Sequence, residues 1–248
     1  MMEVYTMDSI KGSEIAKKGF ENEKYVVNKF NNWKTDEDAR KWLKIMGYDF
    51  NKINELRAMV LNGYKTDVQV ILKYNNIIKT ENLQVKLVSN SKGFNQIDKR
   101  WIDNYKKMWN IPEDIVKLLK YFTGENKPYK ESKKENRMFI NEFNIEEQHK
   151  ILNFFSENKT LILNDIFKGR GEFAAKWILV IQKTDTTQWI MKPMDIVLNL
   201  YGKEDVKISP RGSIKIGKVT MQRKGGDKGR ETANMLQFKI NPLELFTL

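Results

Sequence analysis

Apolar residues in this chain follow a helical period first and a strand period later. From Ser13 to Trp33, the residues Ile15, Ala16, Phe20, Val27, Phe30 and Trp33 form one stripe and predict a helix. Ala39, Trp42, Leu43 and Met46 predict a second, with Thr35 or Asp36 as N-cap and Gly47 at its end. Ile53, Leu56, Met59 and Val60 predict a third over about residues 51–61, closed by Gly63. The period then shortens. Residues 65–74 (KTDVQVILKY) and 82–89 (NLQVKLVS) read as paired strands across an Asn75-Asn76 turn. In the second of these, Gln84 and Lys86 alternate with Leu83, Val85 and Leu87, so both polar residues face one side.

Helical spacing returns near Gln96 with Ile97, Trp101, Tyr105 and Met108, and again after Pro112 as far as Gly124. Residues 125–137 (ENKPYKESKKENR) are lysine-rich and poor in apolar side chains, as in a mobile basic loop. Asn144 and Glu147 predict a capping box for a helix through Phe155. Residues 160–167 fit strand or helix. Strands WILVIQKT and WIMKPM follow, then a helix over 195–201, then two to four antiparallel strands to the C-terminus. This order implies an α+β (α/β) chain with a mixed central sheet flanked by helices and an antiparallel C-terminal region. The expected organisation is 1–124, a link at 125–137, and 138–248, forming one compact domain.

Composition narrows the chemistry. Without cysteine there is no disulfide, thiol nucleophile or thiolate metal site. The single histidine, His149, falls on the polar side of its helix, so histidine triads and histidine metal sites are excluded. No apolar run is long enough to span a bilayer and no signal-peptide block opens the chain, which points to a cytoplasmic protein without a membrane partner. The net charge of +12 predicts attraction to a polyanion, although a coding bias toward Lys, Asn and Ile gives the same total. Catalysis here must rest on carboxylates, amides, lysine and a hard metal ion.

The residues for that chemistry lie in the paired strands. Phosphodiester hydrolysis needs a hydroxide, a Lewis acid and stabilisation of charge on the phosphorus oxygens. Mg²⁺ keeps several waters and takes few protein oxygens. Asp67, the Gln84 side chain and the Val85 backbone carbonyl suffice for one site, with Lys86 beside them to position the attacking water. Glu23, bordering the first stripe, is either a rim residue or one more carboxylate aimed at that site. Basic and amide residues suited to DNA occur in two places. Lys92, Asn95, Gln96 and Lys99 follow the second strand, and Arg211, Lys215, Gln222, Arg223, Lys228 and Arg230 crowd the C-terminal region. Arg211, in a Pro-Arg-Gly turn, is the expected base reader, and residues 225–230 the expected backbone contact. Each is otherwise an ordinary surface residue.

Thr66-Asp67 and Gln84-Val85-Lys86, with sixteen residues between Asp67 and Gln84, resemble the active-site motif of the PD-(D/E)XK nuclease superfamily. Four stretches carry a further resemblance to the HinP type of restriction endonuclease, the GCGC-cleaving enzymes. They are GFENEKYVVNKF, NLQVKLVSNSKGFNQIDKRW, FKGRGEFAAKWILVIQK and SPRGSIKIGKVTMQRKGGDKGRETANMLQFKINPLELF, spread over nearly the whole length. The resemblance implies a restriction-endonuclease sheet and a Mg²⁺-dependent double-strand nuclease with Asp67, Gln84 and Lys86 at its core. It also implies a cognate DNA methyltransferase as functional partner and no small-molecule substrate. Thr66 stands where the motif has proline, and Gln84 where it has an acid, which directs attention to Glu23 as the missing charge. The competing readings are a structure-selective repair or junction nuclease of the same fold, and a basic nucleic-acid-binding protein without catalysis.

Overall fold

A computed structural model describes residues 2–90, 93–226 and 230–248, with side chains from residue 17 onward. Two compact units account for it, each drawn from separated stretches of sequence. One comprises Gly12–Gly93, Phe167–Val197 and Asn241–Leu248; the other contains Phe94–Ile166 and Leu198–Ile240.

The first unit is built on strands β1 (Ile53–Val60), β2 (Val68–Tyr74), β3 (Ile77–Val88), β5 (Trp177–Lys183) and β6 (Thr187–Pro193), in the order β1-β2-β3-β5-β6. All neighbours are antiparallel except β3 and β5, which run parallel, so the sheet is mixed. Helices α1 (Met2–Asn31) and α2 (Glu37–Ile45) supply Val26, Phe30, Ala39, Trp42 and Leu43 to its core. Val68, Val70, Leu72, Leu83, Val85, Leu179, Ile181 and Met191 meet them from the sheet. Trp42 packs between Phe30 and Trp189, with ring centroids 5.1 and 5.6 Å away. Asp36 caps α2 by accepting from the Ala39 N–H at 2.9 Å, as its sequence predicts. The Asn75-Asn76 turn also forms, with φ of 50° and 62° at the two asparagines.

Two expectations are corrected in this unit. In place of the expected third helix over 51–61, a single 3-10 turn (Phe50–Lys52) leads into the edge strand β1. A bulge between Ile53 and Glu55 shifts its parity, so Ile53 and Leu56 mimic a helical i, i+3 pair. Beyond the bulge, Leu56, Ala58 and Val60 face Leu72, Val70 and Val68 in strict alternation. The stripe of α1 is also rotated: Val26 is fully buried, whereas Phe20 is 42% exposed. Ile15 and Ala16 lie outside the described side chains.

The second unit carries the antiparallel sheet β4-β10-β9-β8-β7, formed by β4 (Asn95–Arg100), β7 (Val206–Ile208), β8 (Ile214–Ile216), β9 (Val219–Arg223) and β10 (Leu236–Ile240). Helices α3 (Ile102–Trp109), α4 (Glu113–Thr123), α5 (Ile145–Glu157) and α6 (Lys159–Phe167) belong largely to it, and α7 (Met194–Gly202) runs into it. Tyr105 stacks on Trp109 at 4.6 Å, and the edge of Phe238 from β10 closes on both rings. The buried Trp109 indole N–H is matched by Asp165 at 2.9 Å.

Here the expected helix from Gln96 is a strand as far as Arg100, because β10, far downstream, offers it a pairing edge. The ambiguous stretch 160–167 is helical. Asn144 and Glu147 form the predicted capping box. Residues 125–137 are held by several bonds: Tyr129 donates to Glu147 at 2.8 Å, and Ser132 donates to the Arg137 carbonyl at 2.8 Å. Among the described residues, no helix is long and apolar enough to cross a membrane.

Candidate active site

The site forms where two strands part. β2 and β3 pair from Tyr74↔Ile77 to Val68↔Leu83, and the Asp67 N–H still donates to the Leu83 carbonyl at 2.8 Å. Beyond that bond the Val85 N–H donates to the Asp67 carboxylate (Oδ2) at 2.7 Å instead of to backbone. On its other edge β3 continues alongside β5, with Gln84 opposite Ile178 and Lys86 opposite Val180. One edge of β3 is therefore rigid while the other turns from strand partner to carboxylate.

Lys86 Nζ lies 3.8 Å from Asp67 Oδ2, with side chains 15% and 22% exposed. The Val85 carbonyl leaves the strand on the same edge as its N–H, toward Asp67. Gln84, 2% exposed, keeps Oε1 buried without a hydrogen-bond partner among the described residues. An unmatched buried acceptor costs about 1–3 kcal/mol. Such a cost is tolerated where a ligand completes the group.

Glu23 comes from α1, half-buried. Its carboxyl is pushed up to about 7, chiefly by burial and next by the negative charge of Asp67, against an opposing pull from Lys86. The structure therefore brings Glu23 within electrostatic reach of Asp67 and Lys86. Asn22, one residue earlier, is 2% exposed with both amide atoms unpartnered among the described residues. Sequence reasoning passed over it. The signal was a polar residue four positions before Val26 and eight before Phe30, on the core stripe itself.

These groups fit a hard divalent cation. Asp67, Glu23, the Gln84 side-chain oxygen and the Val85 carbonyl are all oxygen donors, and the cost that burial and the Asp67 charge place on ionising Glu23 calls for positive charge. Among the described residues no group of three or more His, Cys, Asp or Glu side chains is placed to hold a metal. A cation bound here would have to retain waters, as Mg²⁺ does.

Thr66, at the position before the aspartate, is fully buried, and its hydroxyl donates to the Phe173 carbonyl at 2.7 Å. Asn82 donates to the carbonyls of Glu172 and Ala174 at 2.8 and 3.2 Å and accepts from Gln69 at 3.0 Å. The segment ahead of β5 is thus tied to both strands of the fork. A threonine hydroxyl does what proline cannot, because proline has no side-chain donor.

The amide and basic residues lie in the second unit. Register across its sheet aligns Gln96, Lys239, Thr220 and Lys215 in one row and Lys99, Gln237 and Gln222 in another. Two groups that the sequence separates by more than a hundred residues thus share one polar sheet face, opposite Ile214, Ile216, Val219, Met221 and Phe238. Lys239 belongs to this face and was not singled out from sequence. Lys215 donates to Thr220 Oγ1 at 2.5 Å. Asn95 lies half-buried at the start of β4, and Arg230 is exposed. Arg211 is exposed beside Gly212, whose φ of 72° brings the turn against Phe139 and Asn141. Arg223 belongs to a separate cluster around Gly124 and Asn234, with Asn234 Oδ1 accepting from its Nε and Nη2 at 3.2 and 2.6 Å. Lys92 and Lys228 lie outside the described residues. His149 is exposed.

Three comparisons bear on these observations. A family model described as R.HinP1I restriction endonuclease matches residues 46–246. No curated protein matches the chain. The solved structure of restriction endonuclease MspI in complex with its cognate DNA is similar in fold, with a TM-score of 0.63 and 14% identity over 96% of each chain.

Proposed function

This chain belongs to the R.HinP1I restriction endonuclease family and is a type II site-specific deoxyribonuclease, and from that premise we propose how and where it cuts. The substrate is double-stranded DNA, the metal is Mg²⁺, and the target is a short G+C palindrome, GCGC by family resemblance. The observation that carries the catalytic assignment is the fork itself: the Asp67 carboxylate fixed by the Val85 N–H, 3.8 Å from Lys86, beside a buried, unpartnered Gln84 oxygen.

Asp67, Gln84 and the Val85 carbonyl would hold the cation, with Glu23 supplying the second carboxylate. A divalent ion there supplies Lewis acidity at the phosphorus oxygens and makes hydroxide accessible near neutral pH. The chain's own residues do the rest. The Val85 N–H fixes the Asp67 carboxylate, which would ligate the cation. Lys86 offers an ammonium to orient the attacking water and to counter charge developing on the phosphate. Gln84 contributes an oxygen without charge, so the site carries one carboxylate fewer than the superfamily motif and Glu23 restores it. A DNA methyltransferase of matching specificity is the expected partner, and the cytoplasm the expected location.

Incubation with plasmid DNA and Mg²⁺ should give discrete fragments that map to one short sequence. Lys86→Ala should abolish cleavage, by about 10³-fold or more in line with loss of a preorganised charge, while leaving duplex binding largely intact. Normal cutting by that variant would sink the site assignment. Nicking that follows DNA structure would favour a repair-type nuclease, and intact DNA with a salt-sensitive mobility shift would favour a non-catalytic binder.

A further inference from the structure

Arg137 ends the lysine-rich stretch after α4 and carries an unusual guanidinium. The side chain is half-buried, and its guanidinium stacks on the Phe139 ring at 4.1 Å and makes no hydrogen bond or ion pair among the described residues. The Glu142 charge acts favourably on it, but that carboxylate accepts from Ser132 Oγ and from the Lys133 and Phe139 N–H groups. A guanidinium stacked in this way keeps its N–H groups for water or for a ligand that supplies acceptors.

A second arginine is built into the same spot. As the hydrogen bonds to Asn234 Oδ1 hold it, Arg223 keeps its end-on N–H groups for another partner. Asn234 is anchored in turn, its Nδ2 donating to the Gly124 carbonyl at 2.9 Å. Gly124 is the hinge of the arrangement. It caps α4 with φ of 87°, and a Cβ there would lie 2.7 Å from the Asn136 carbonyl, 3.3 Å from Asn234 Oδ1 and 3.4 Å from Arg137 Cβ. The two arginines therefore flank one glycine. Each is also pushed below its usual range, both by burial and Arg137 further by the charge of Arg223.

We propose that Arg137, with Arg223 fixed beside it, is a specificity-determining reader of two adjacent acceptors in duplex DNA, namely O6 and N7 of a guanine. This rests on the endonuclease reading above. Two phosphate oxygens offer the same acceptor pair. What favours the base is the rigidity: the Arg137 fork is held by stacking on Phe139, beside an Arg223 that Asn234 fixes, which suits a planar bidentate partner, whereas phosphate contact is also made well by flexible lysines. Arg137 sits in a stretch whose sequence reads as a mobile basic loop or link, either solvated or ordered on a phosphate backbone.

The experiment begins with the cleavage site of the wild-type enzyme, mapped on plasmid DNA. Arg137→Lys keeps the charge and removes the fork. It should slow cleavage of that site about ten- to a hundredfold, the range for losing one bidentate base contact, with binding to unrelated duplex unchanged. Replacing one guanine of the site by 7-deazaguanine should cost the wild-type enzyme a similar factor and cost Arg137→Lys little more. Phe139→Leu should reproduce part of the loss by freeing the guanidinium. Equal weakening on cognate and unrelated duplex would make Arg137 a phosphate contact and overturn the proposal. If Arg137→Lys fails to fold, wild-type indifference to 7-deazaguanine at every guanine of its site overturns it alone. A wild-type protein that cuts no DNA would instead fail the endonuclease reading.

Discussion

Glu23 shows how one residue's surroundings set its chemistry. Its carboxyl titrates near 4.5 in an unfolded chain and near 7 in the metal-free fold, because burial and the Asp67 charge both oppose ionisation. Between those values the folded state binds the extra proton, so stability is fully present below about 4.5 and is lost as pH rises through about 7. The melting temperature of the metal-free protein should therefore fall across that window, and Glu23→Gln should flatten the fall. A pH profile unchanged in Glu23→Gln would remove Glu23 from the site's electrostatics. Adding a divalent cation to the wild-type protein should flatten the profile as well, since positive charge removes the penalty on the carboxylate.

At the level of elements, the candidate site is a fork in a sheet with a strap tied to both its strands. Thr66 and Asn82 tie residues 172–174 to β2 and β3, and Asp67 is the next residue after Thr66. Thr66→Val keeps the shape and deletes the donor, leaving the partly buried Phe173 carbonyl without it. Urea unfolding should show a loss of about 1–3 kcal/mol, and the cleavage rate should fall more than duplex affinity does. A variant that loses neither stability nor rate would show the strap to be incidental. The outer edge of this sheet is guarded too: Asn31 accepts from the Ala58 N–H at 2.7 Å and donates to its carbonyl at 3.2 Å, covering part of the β1 edge.

For the whole molecule the deciding quantity is charge and its placement. The net charge of +12 is uninformative as a total, but the aligned face with Lys99, Lys215 and Lys239 concentrates part of it on one sheet. If that face meets DNA phosphates, affinity for unrelated duplex should drop steeply with salt, linearly in log–log form with a slope of about −0.9 per phosphate neutralised. Replacing Lys99 and Lys239 by alanine should reduce the slope by about one to two. Salt-independent binding would return the excess lysine to coding bias.

The sequence alone was enough for the alternation of β3. Strict alternation in β3 puts Gln84 and Lys86 on one face whatever surrounds them, and the lack of Cys with a single exposed His leaves only carboxylate, amide and lysine chemistry. Local signals such as the Asp36 cap, the Asn75-Asn76 turn and the Asn144–Glu147 box were legible for the same reason: their partners lie within a few residues. What depended on distant partners was not. β1 and β4 look helical until the edges of β2 and β10 pair with them, and a bulge hid the parity of β1. Glu23 joins Asp67, Gln96 aligns with Thr220 and Lys215, and Arg137 meets Arg223 only through tertiary packing, because proximity across more than forty residues is decided by which buried faces fit together.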